Sequence, residues 1–328
     1  MENIEIESNP QELNVQLIDS VLRAPAGTEF PKIASAGDDL IRTHIREAGF
    51  LRKLIKPRPI TNEELDRELD HDRPVRFVEM ERNSRGAVAV PFNVSSNTEF
   101  YYGPKGKVEF FNIKTPVFTK SINELRTYRH DLRKLVTEQA LNDIQTKEDG
   151  LFINLCDLIV GSSVDGGQGV GKSGRRQHFK AGTTAGAFLD NGLSSRATVV
   201  DMKKILPSFR LNNGVFLMNT NTANEYEKQD RVELGGDLSG KIWKEGLKAI
   251  GDAVISGVPH VFTIKDELVP DGVVYAFTEP NFLGRFYILE DIKLFVKRDE
   301  DQIKMHATET IGAGILNVAG VVKFDLNQ

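Results

Sequence analysis

One octapeptide in this chain spells a catalytic motif. Gly166-Gly167-Gln168-Gly169-Val170-Gly171-Lys172-Ser173 fits G-x-x-x-x-G-K-[ST], the loop with which nucleotide hydrolases hold phosphate. That chemistry needs backbone N–H groups and a helix N-terminus around the phosphates. It also needs a lysine on the terminal phosphate and a hydroxyl on Mg²⁺. A buried strand must therefore lead directly into the loop and a stable helix must leave it. The upstream apolar run ends too early, at Val160, and the downstream GRRQHFKAGTTAG carries Gly174, Gly182 and Gly186 with no apolar face. Arg285–Asp291 (RFYILED) imitates the acidic metal motif of such enzymes, but reads equally as a strand followed by charge. A flexible glycine loop is expected, with a P-loop nucleotide hydrolase as an alternative.

The other reactive side chains do not converge by spacing. His44, His71, His130, His178, His260 and His306 are scattered, and the single Cys156 reads as a small buried hydrophobe. One cysteine supplies no intrachain disulfide and, without a histidine pair, no zinc site. No G-x-S-x-G elbow is present. His130-Asp131 reads as surface polarity on a helix, and Asp38-Asp39 as a helix N-cap. Arg175, Arg176, His178 and Lys180 make a small basic patch, either solvated or facing an anion or a neighbouring subunit. The chain is read as non-enzymatic, with no catalytic, cofactor or metal residues.

Composition narrows the class further. With 328 residues, 40% hydrophobic and 27% charged, the chain can bury a large core and is not broadly disordered. Its net charge of -5 has the wrong sign for a protein whose main task is gripping phosphates. No run approaches the roughly 18 apolar residues of a membrane span. The acidic start MENIEIESNPQELN is no secretory signal, so a cytosol-like compartment is expected.

The elements follow from periodicity. Residues 1–36, with Pro10, Pro25 and Pro31, read as an extended arm. From Asp38, apolar residues at Leu40, Ile41, His44, Ile45, Ala48, Leu51 and Leu54 predict an amphipathic helix that Pro57 and Pro59 end. Residues 75–118 read as a two-stranded projection, with the Gly/Pro turn at Gly103–Lys107. Such a ribbon has no second layer to bury a face and is marginal alone in water, which implies a covering partner. Ser121 and Glu124 spell a capping box for a helix over 122–147, about 39 Å long, with Gly150 as its break. Residues 151–160 read as a second apolar helix, 161–194 as a Gly-rich loop, and the stretch from Ser195 to Pro207 as a helix. Residues 214–220 read as a strand, and Thr222 with Glu225 as a second capping box. The closing third ends in a long strand pair with a charged tip, Lys297-Arg298-Asp299-Glu300-Asp301, and a last strand at Phe324–Leu326.

That order of parts, from about residue 38 to the end, resembles the major capsid proteins of tailed bacteriophages, the Hong Kong 97-type fold. The resemblance implies an α+β chain with a division into four parts. These are an N-terminal arm with its helix (1–74), an extended β-loop (75–120), a peripheral domain (121–195 with 285–310) and an axial domain (196–284 with 311–328). It implies a head protein that assembles with itself into hexamers and pentamers around double-stranded DNA, made in the host cytoplasm and resident in the virion capsid. Portal, scaffold and possibly decoration proteins would be its partners, with the DNA touched non-specifically and no membrane involved. By the same resemblance, the extended loop lays Phe100, Tyr101, Tyr102, Lys105, Lys107, Phe110 and Phe111 over a neighbouring subunit. The tip Lys297–Asp301 would meet other capsomers. Some relatives join an extended-loop lysine covalently to an asparagine near that tip; here the tip has no asparagine, so no such cross-link is expected. An encapsulin-type compartment shares the fold and is the leading alternative.

Overall fold

The computed structural model describes residues 14–16, 18–19, 47–68, 71–81, 89, 103–127, 131–162, 168–180, 196–225, 257–299 and 301–326. Most of the helix predicted from Asp38 to Leu54 and of the strand at 86–94 lies outside them; of that helix only Leu51–Leu54 is helical among the described residues, and 47–49 are not. In chain order the elements used below are α1 (Leu51–Leu54), β1 (Arg58–Pro59), β2 (Asp66–Arg67), β3 (Pro74–Glu79), β4 (Lys105–Lys114) and β5 (Phe118–Ser121). There follow α2 (Ile122–Thr127), α3 (Leu132–Val160), β6 (Gln168–Val170), β7 (Arg176–Lys180), α4 (Arg196–Ser208) and β8 (Asn213–Asn219). The rest are α5 (Thr220–Ala223), β9 (His260–Thr263), β10 (Val273–Thr278), α6 (Pro280–Leu283), β11 (Gly284–Asp299), β12 (Gln302–Ile315) and β13 (Val321–Asp325).

The helix α3 organises the molecule. Every fourth residue from Leu132 through Val136, Ala140, Ile144, Glu148, Phe152 and Cys156 to Val160 is buried. A row of fourth residues advances by about 40° per step around an α-helix, so the buried stripe winds around the helix instead of keeping to one side. Successive neighbours therefore cover it. Leu132 and Val136 pack with Leu125, Val296 and Ile303 at the outer end of the β11–β12 hairpin. Ala140 and Ile144 meet the inner half of that hairpin and α1, and Phe152 to Val160 reach Phe277 and Val321 in a second sheet.

Two sheets flank the helix. The first has strand order β1-β11-β12-β4-β3-β2, with β5 also paired to β12; the second runs β6-β7-β13-β10-β8-β9. Strand β12 shows why a hairpin of this length holds against a helix. Ile303, Met305, Ala307, Glu309 and Ile311 are buried, while Lys304, His306, Thr308 and Thr310 between them are not. This is the period of two that puts alternate side chains on opposite faces. The second sheet closes on α4 through Met202, Leu206, Phe216, Val274 and Phe324.

Four expectations need correction. The helix predicted over 122–147 is two helices, α2 and the 29-residue α3. Asp131 starts the second by accepting from the N–H groups of Arg133 (3.0 Å) and Lys134 (3.4 Å), a side-chain cap that competes with continuation of α2. Gly150 does not break α3; the helix runs on to Gly161, whose φ of 73° is the left-handed turn favourable to glycine. Glycine inside a helix costs about 1 kcal/mol, and burial of Phe152, Ile153 and Cys156 around it outweighs that. Within the predicted loop 161–194, β6 and β7 are strands of the second sheet. Finally, Thr222 is no N-cap. Asn219 caps α5 through the N–H of Asn221, and the Thr222 hydroxyl instead donates to Asp271 (2.8 Å) and accepts from the Gly272 N–H (2.7 Å).

Replacing Asp131 with alanine should cost about 1 kcal/mol of folding free energy. Urea denaturation of the full chain should show a lower midpoint with an unchanged slope.

Candidate assembly surfaces

The nucleotide-binding spelling is a β-hairpin. β6 and β7 pair antiparallel, Gly169 opposite His178, and the chain turns through Gly171–Arg175. The Lys172 N–H donates to the Ile159 carbonyl at 2.8 Å and the Gly171 N–H to the Arg175 carbonyl at 3.0 Å. These two N–H groups are thus bonded within the protein; Gly166 and Gly167 lie outside the described residues. The Ser173 hydroxyl donates to Gln177 Oε1 at 2.6 Å, and the buried Gln177 amide donates to the carbonyls of Val318 (2.5 Å) and Val321 (2.8 Å). The strand β7, and not a helix, is the next element after Ser173, so the alternative of a nucleotide hydrolase is set aside. The glycines serve close approach instead: a Cβ on Gly169 would lie 2.3 Å from the Ser162 carbonyl oxygen. Arg285–Asp291 lies in β11, where Tyr287 and Ile288 pair with β1 on one edge and Arg285 to Ile288 with β12 on the other.

Two members of the basic patch, Arg175 and His178, make contacts within the chain, while Arg175 and Arg176 remain exposed. His178 sits between Asp325 Oδ2 (2.7 Å from Nε2) and the Gly161 carbonyl (2.9 Å from Nδ1), and the Arg175 guanidinium lies 5.1 Å above the Phe209 ring. His44 and His130 lie outside the described residues, and His71 is exposed. His260 stacks among Phe216 and Phe262, and burial lowers it to about 4. His306 stacks on Phe295.

The extended ribbon is described at its root. β3 pairs with the outer half of β4, Val75 opposite Glu109 and Glu79 opposite Lys105. Lys105 to Lys107, expected in the turn, are thus already strand. The inner half of β4 pairs with β12, Phe110 opposite Gly312 and Lys114 opposite Thr308. This anchors the ribbon in its own chain. Phe110 is half-buried against Tyr287, at 6.4 Å between ring centres, and a Cβ on Gly312 would fall 2.9 Å from its ring. Lys107 is held by Glu68 and Glu109, each at 2.6 Å; Lys105 is exposed.

Phe111 faces the other way and is 44% exposed, with Val117 at 57% and Phe77 at 36%. Below it, Phe111, Ile113, Ile144 and Leu151 line a groove of about 640 Å³ with Lys114, Asp143 and Lys147 at its edge. Phe100, Tyr101 and Tyr102 lie outside the described residues.

At the hairpin tip, Lys297, Asp299 and Asp301 are exposed and Arg298 is partly covered; Glu300 lies outside the described residues. Asp299 pairs with Lys304, whose hydrogen bond holds the Asp299 carboxyl below its usual range. β5 braces the tip by pairing with Gln302–Met305, and the Ile122 N–H donates to the Asp301 carbonyl at 2.9 Å. Leu125 and Ile303 are fully buried behind it. The charges are therefore presented from a rigid base.

No protein-family model and no curated protein sequence matches this chain. Solved structures do. The capsid structure of the cyanophage P-SCSP1u superposes with a TM-score of 0.60 at 10% identity, covering 90% of this chain and 93% of that one. The capsid of an empty GTA particle gives 0.58 at 14%, covering 90% and 96%. The mature capsid of bacteriophage PhiM1 gives 0.58 at 8%, covering 90% and 92%. The fold is that of tailed-phage capsid proteins. At such low identity the capsid fold is carried by the order and packing of elements, and the match covers about 90% of the chain.

Sequence reasoning missed one feature of this capsid fold: charged residues in its centre. Asp149, fully buried, caps α1 through the N–H groups of Phe50 (3.2 Å) and Leu51 (2.9 Å) and pairs with Lys265 at 2.7 Å. Arg52 lies between Glu148 (2.7 Å) and Glu309 (2.8 Å). On an amphipathic pattern these acids read as solvated faces, and nothing in their spacing signals that two sheets enclose them.

Lys172→Ala should leave the thermal midpoint unchanged, and titration with Mg-ATP should give no heat in either form. Gln177→Ala should instead cost about 1–3 kcal/mol, since it strands buried carbonyl groups. A nucleotide site would reverse that ranking.

Proposed function

We propose that this chain is the major capsid protein of a tailed phage, assembling with itself into hexamers and pentamers that enclose double-stranded DNA. The observation that carries this reading is the capsid fold over about 90% of the chain. It is supported by large apolar side chains, Phe111, Val117 and Phe77, left exposed on the ribbon and its root. Burying one such side chain contributes roughly 1.5–3 kcal/mol before ordering costs, and closed rings repeat the gain at every subunit. The ribbon would lie over a neighbouring copy, and the braced tip Lys297–Asp301 would meet neighbouring capsomers. Exposed single ion pairs contribute little there, so the tip would act through register and several charges together. The peripheral unit would comprise α2, α3 and the β11–β12 hairpin. The axial unit would comprise the second sheet with α4, including β6 and β7, which pair with each other and with β13. The role is structural, without catalysis. Assembly would take place in the host cytoplasm, with portal, scaffold and possibly decoration proteins as partners.

Negative-stain microscopy of the purified chain tests this, alone and with the scaffold candidates of its genome. Closed shells or rings of five and six are expected; a monomer at every concentration would overturn the reading. Shells that carry an enzyme instead of DNA when isolated from the native source would move the chain to the encapsulin class. Phe111→Ser should abolish particles while leaving the circular dichroism spectrum of the monomer unchanged. Boiled particles should run as a single monomer band on denaturing gels, because Lys105 and Lys107 have no asparagine to join at the tip.

A further inference from the structure

Glu148 on α3 and Glu309 on β12 both have side chains with no exposed surface, and both meet the guanidinium of Arg52 from α1. One cation thus faces two buried carboxyl groups. Arg52 makes two contacts to Glu148, Nε to Oε2 at 3.0 Å and a terminal nitrogen to Oε1 at 2.7 Å, and only one to Glu309. The second oxygen of Glu309 is buried without a hydrogen-bond partner among the described residues. The surrounding charges offer no further relief. Asp291 on β11 adds a negative field, Lys265 is committed to Asp149, Glu47 accepts from Thr263 and Ile264, and Lys114 on β4 is exposed.

We infer that Glu309 is protonated in the folded protein, and that this proton is a pH-dependent clasp on the junction of α1, α3 and β12 whose hold weakens as the solution turns from acid to alkaline. A charged carboxylate with an unsatisfied oxygen in an enclosed site is far more costly than a neutral one. Burial, with Glu148 beside it, pushes the Glu309 carboxyl up to about 8 from an ordinary 4.5. The sign follows from linkage: an acid raised on folding favours the closed junction at low pH. That contribution shrinks as pH climbs from about 4.5 to about 8 and is level above. The place matters for assembly, because Glu309 pairs across the sheet with Ile113, in the strand that carries the extended ribbon. A proton at this point sets how firmly the ribbon's root is held.

The test is native-state hydrogen exchange on the full-length chain. It follows the Leu54 and Ile55 amides, which close α1 onto the Phe50 and Leu51 carbonyls, in wild type and in Glu309→Gln. The glutamine keeps shape and contact but has no proton to lose. The wild-type protection factor, divided by that of the variant, should fall by about tenfold per pH unit between pH 6 and 8 and then level. Parallel profiles in the two proteins would overturn the inference. If the variant does not fold, the wild type alone decides by infrared spectroscopy. A protonated-carboxyl band at neutral pH that disappears above about pH 8 supports the clasp, and no such band refutes it. Neither readout requires particles, so the inference stands or falls apart from the capsid assignment.

Discussion

The winding buried row of α3 is the constraint on which the other contacts depend. A helix with its apolar residues on one fixed face could lie on only one layer. Here the four-residue repeat turns its stripe steadily around the axis, so one helix takes the hairpin, α1 and the second sheet in succession. The hairpin, α1 and the second sheet are thereby packed around a single rod about 43 Å long. Glu148 and Asp149 lie on that rod, fully buried, which is why the core there carries paired charges with Arg52 and Lys265 instead of apolar side chains.

The ribbon and hairpin show the opposite economy. The long hairpin is finished within the chain. Its inner face packs on α3, and its tip is braced by β5 and α2. Among the described residues the ribbon is packed at its root, where Val108 and Phe110 meet Tyr287 and Ile60. Phe111, Val117 and the groove beside Ile144 and Leu151 remain open to solvent. A two-stranded extension cannot cover both of its own faces. A surface of this kind is suited to completion by another copy, and the same fold in solved phage capsids supports that reading.

The glycine-rich segment illustrates how a short motif misleads. Gly171 fills a fixed position of a pattern written for phosphate, with Gly169 inside that pattern and Gly174 just beyond it, yet here each meets a local need of backbone. Two are points where a Cβ would strike a neighbouring carbonyl or amide oxygen, and the third has a φ of 72°. The residues are the same; the helix that would make them a nucleotide site is absent after Ser173.

The sequence by itself determined the α+β class, the long central helix, the β11–β12 hairpin with its charged tip, and the order of parts that resembles a phage capsid. These are carried by local periodicity and turn residues, which act over a few positions. It also indicated, through the aromatic and β-branched ribbon, that a partner surface would be needed. Tertiary structure alone decided where α3 begins and ends, because Asp131, Gly150 and Gly161 are each plausible punctuation and packing chooses among them. It decided that 168–180 belongs to the second sheet, since β7 finds β13 across more than 140 residues. It decided that Phe110 turns inward while Phe111 stays out, because the register of β4 against β12 assigns their faces. And it decided the fate of Glu148 and Glu309, whose chemistry depends on enclosure by elements far apart in the chain, a property that no local pattern encodes.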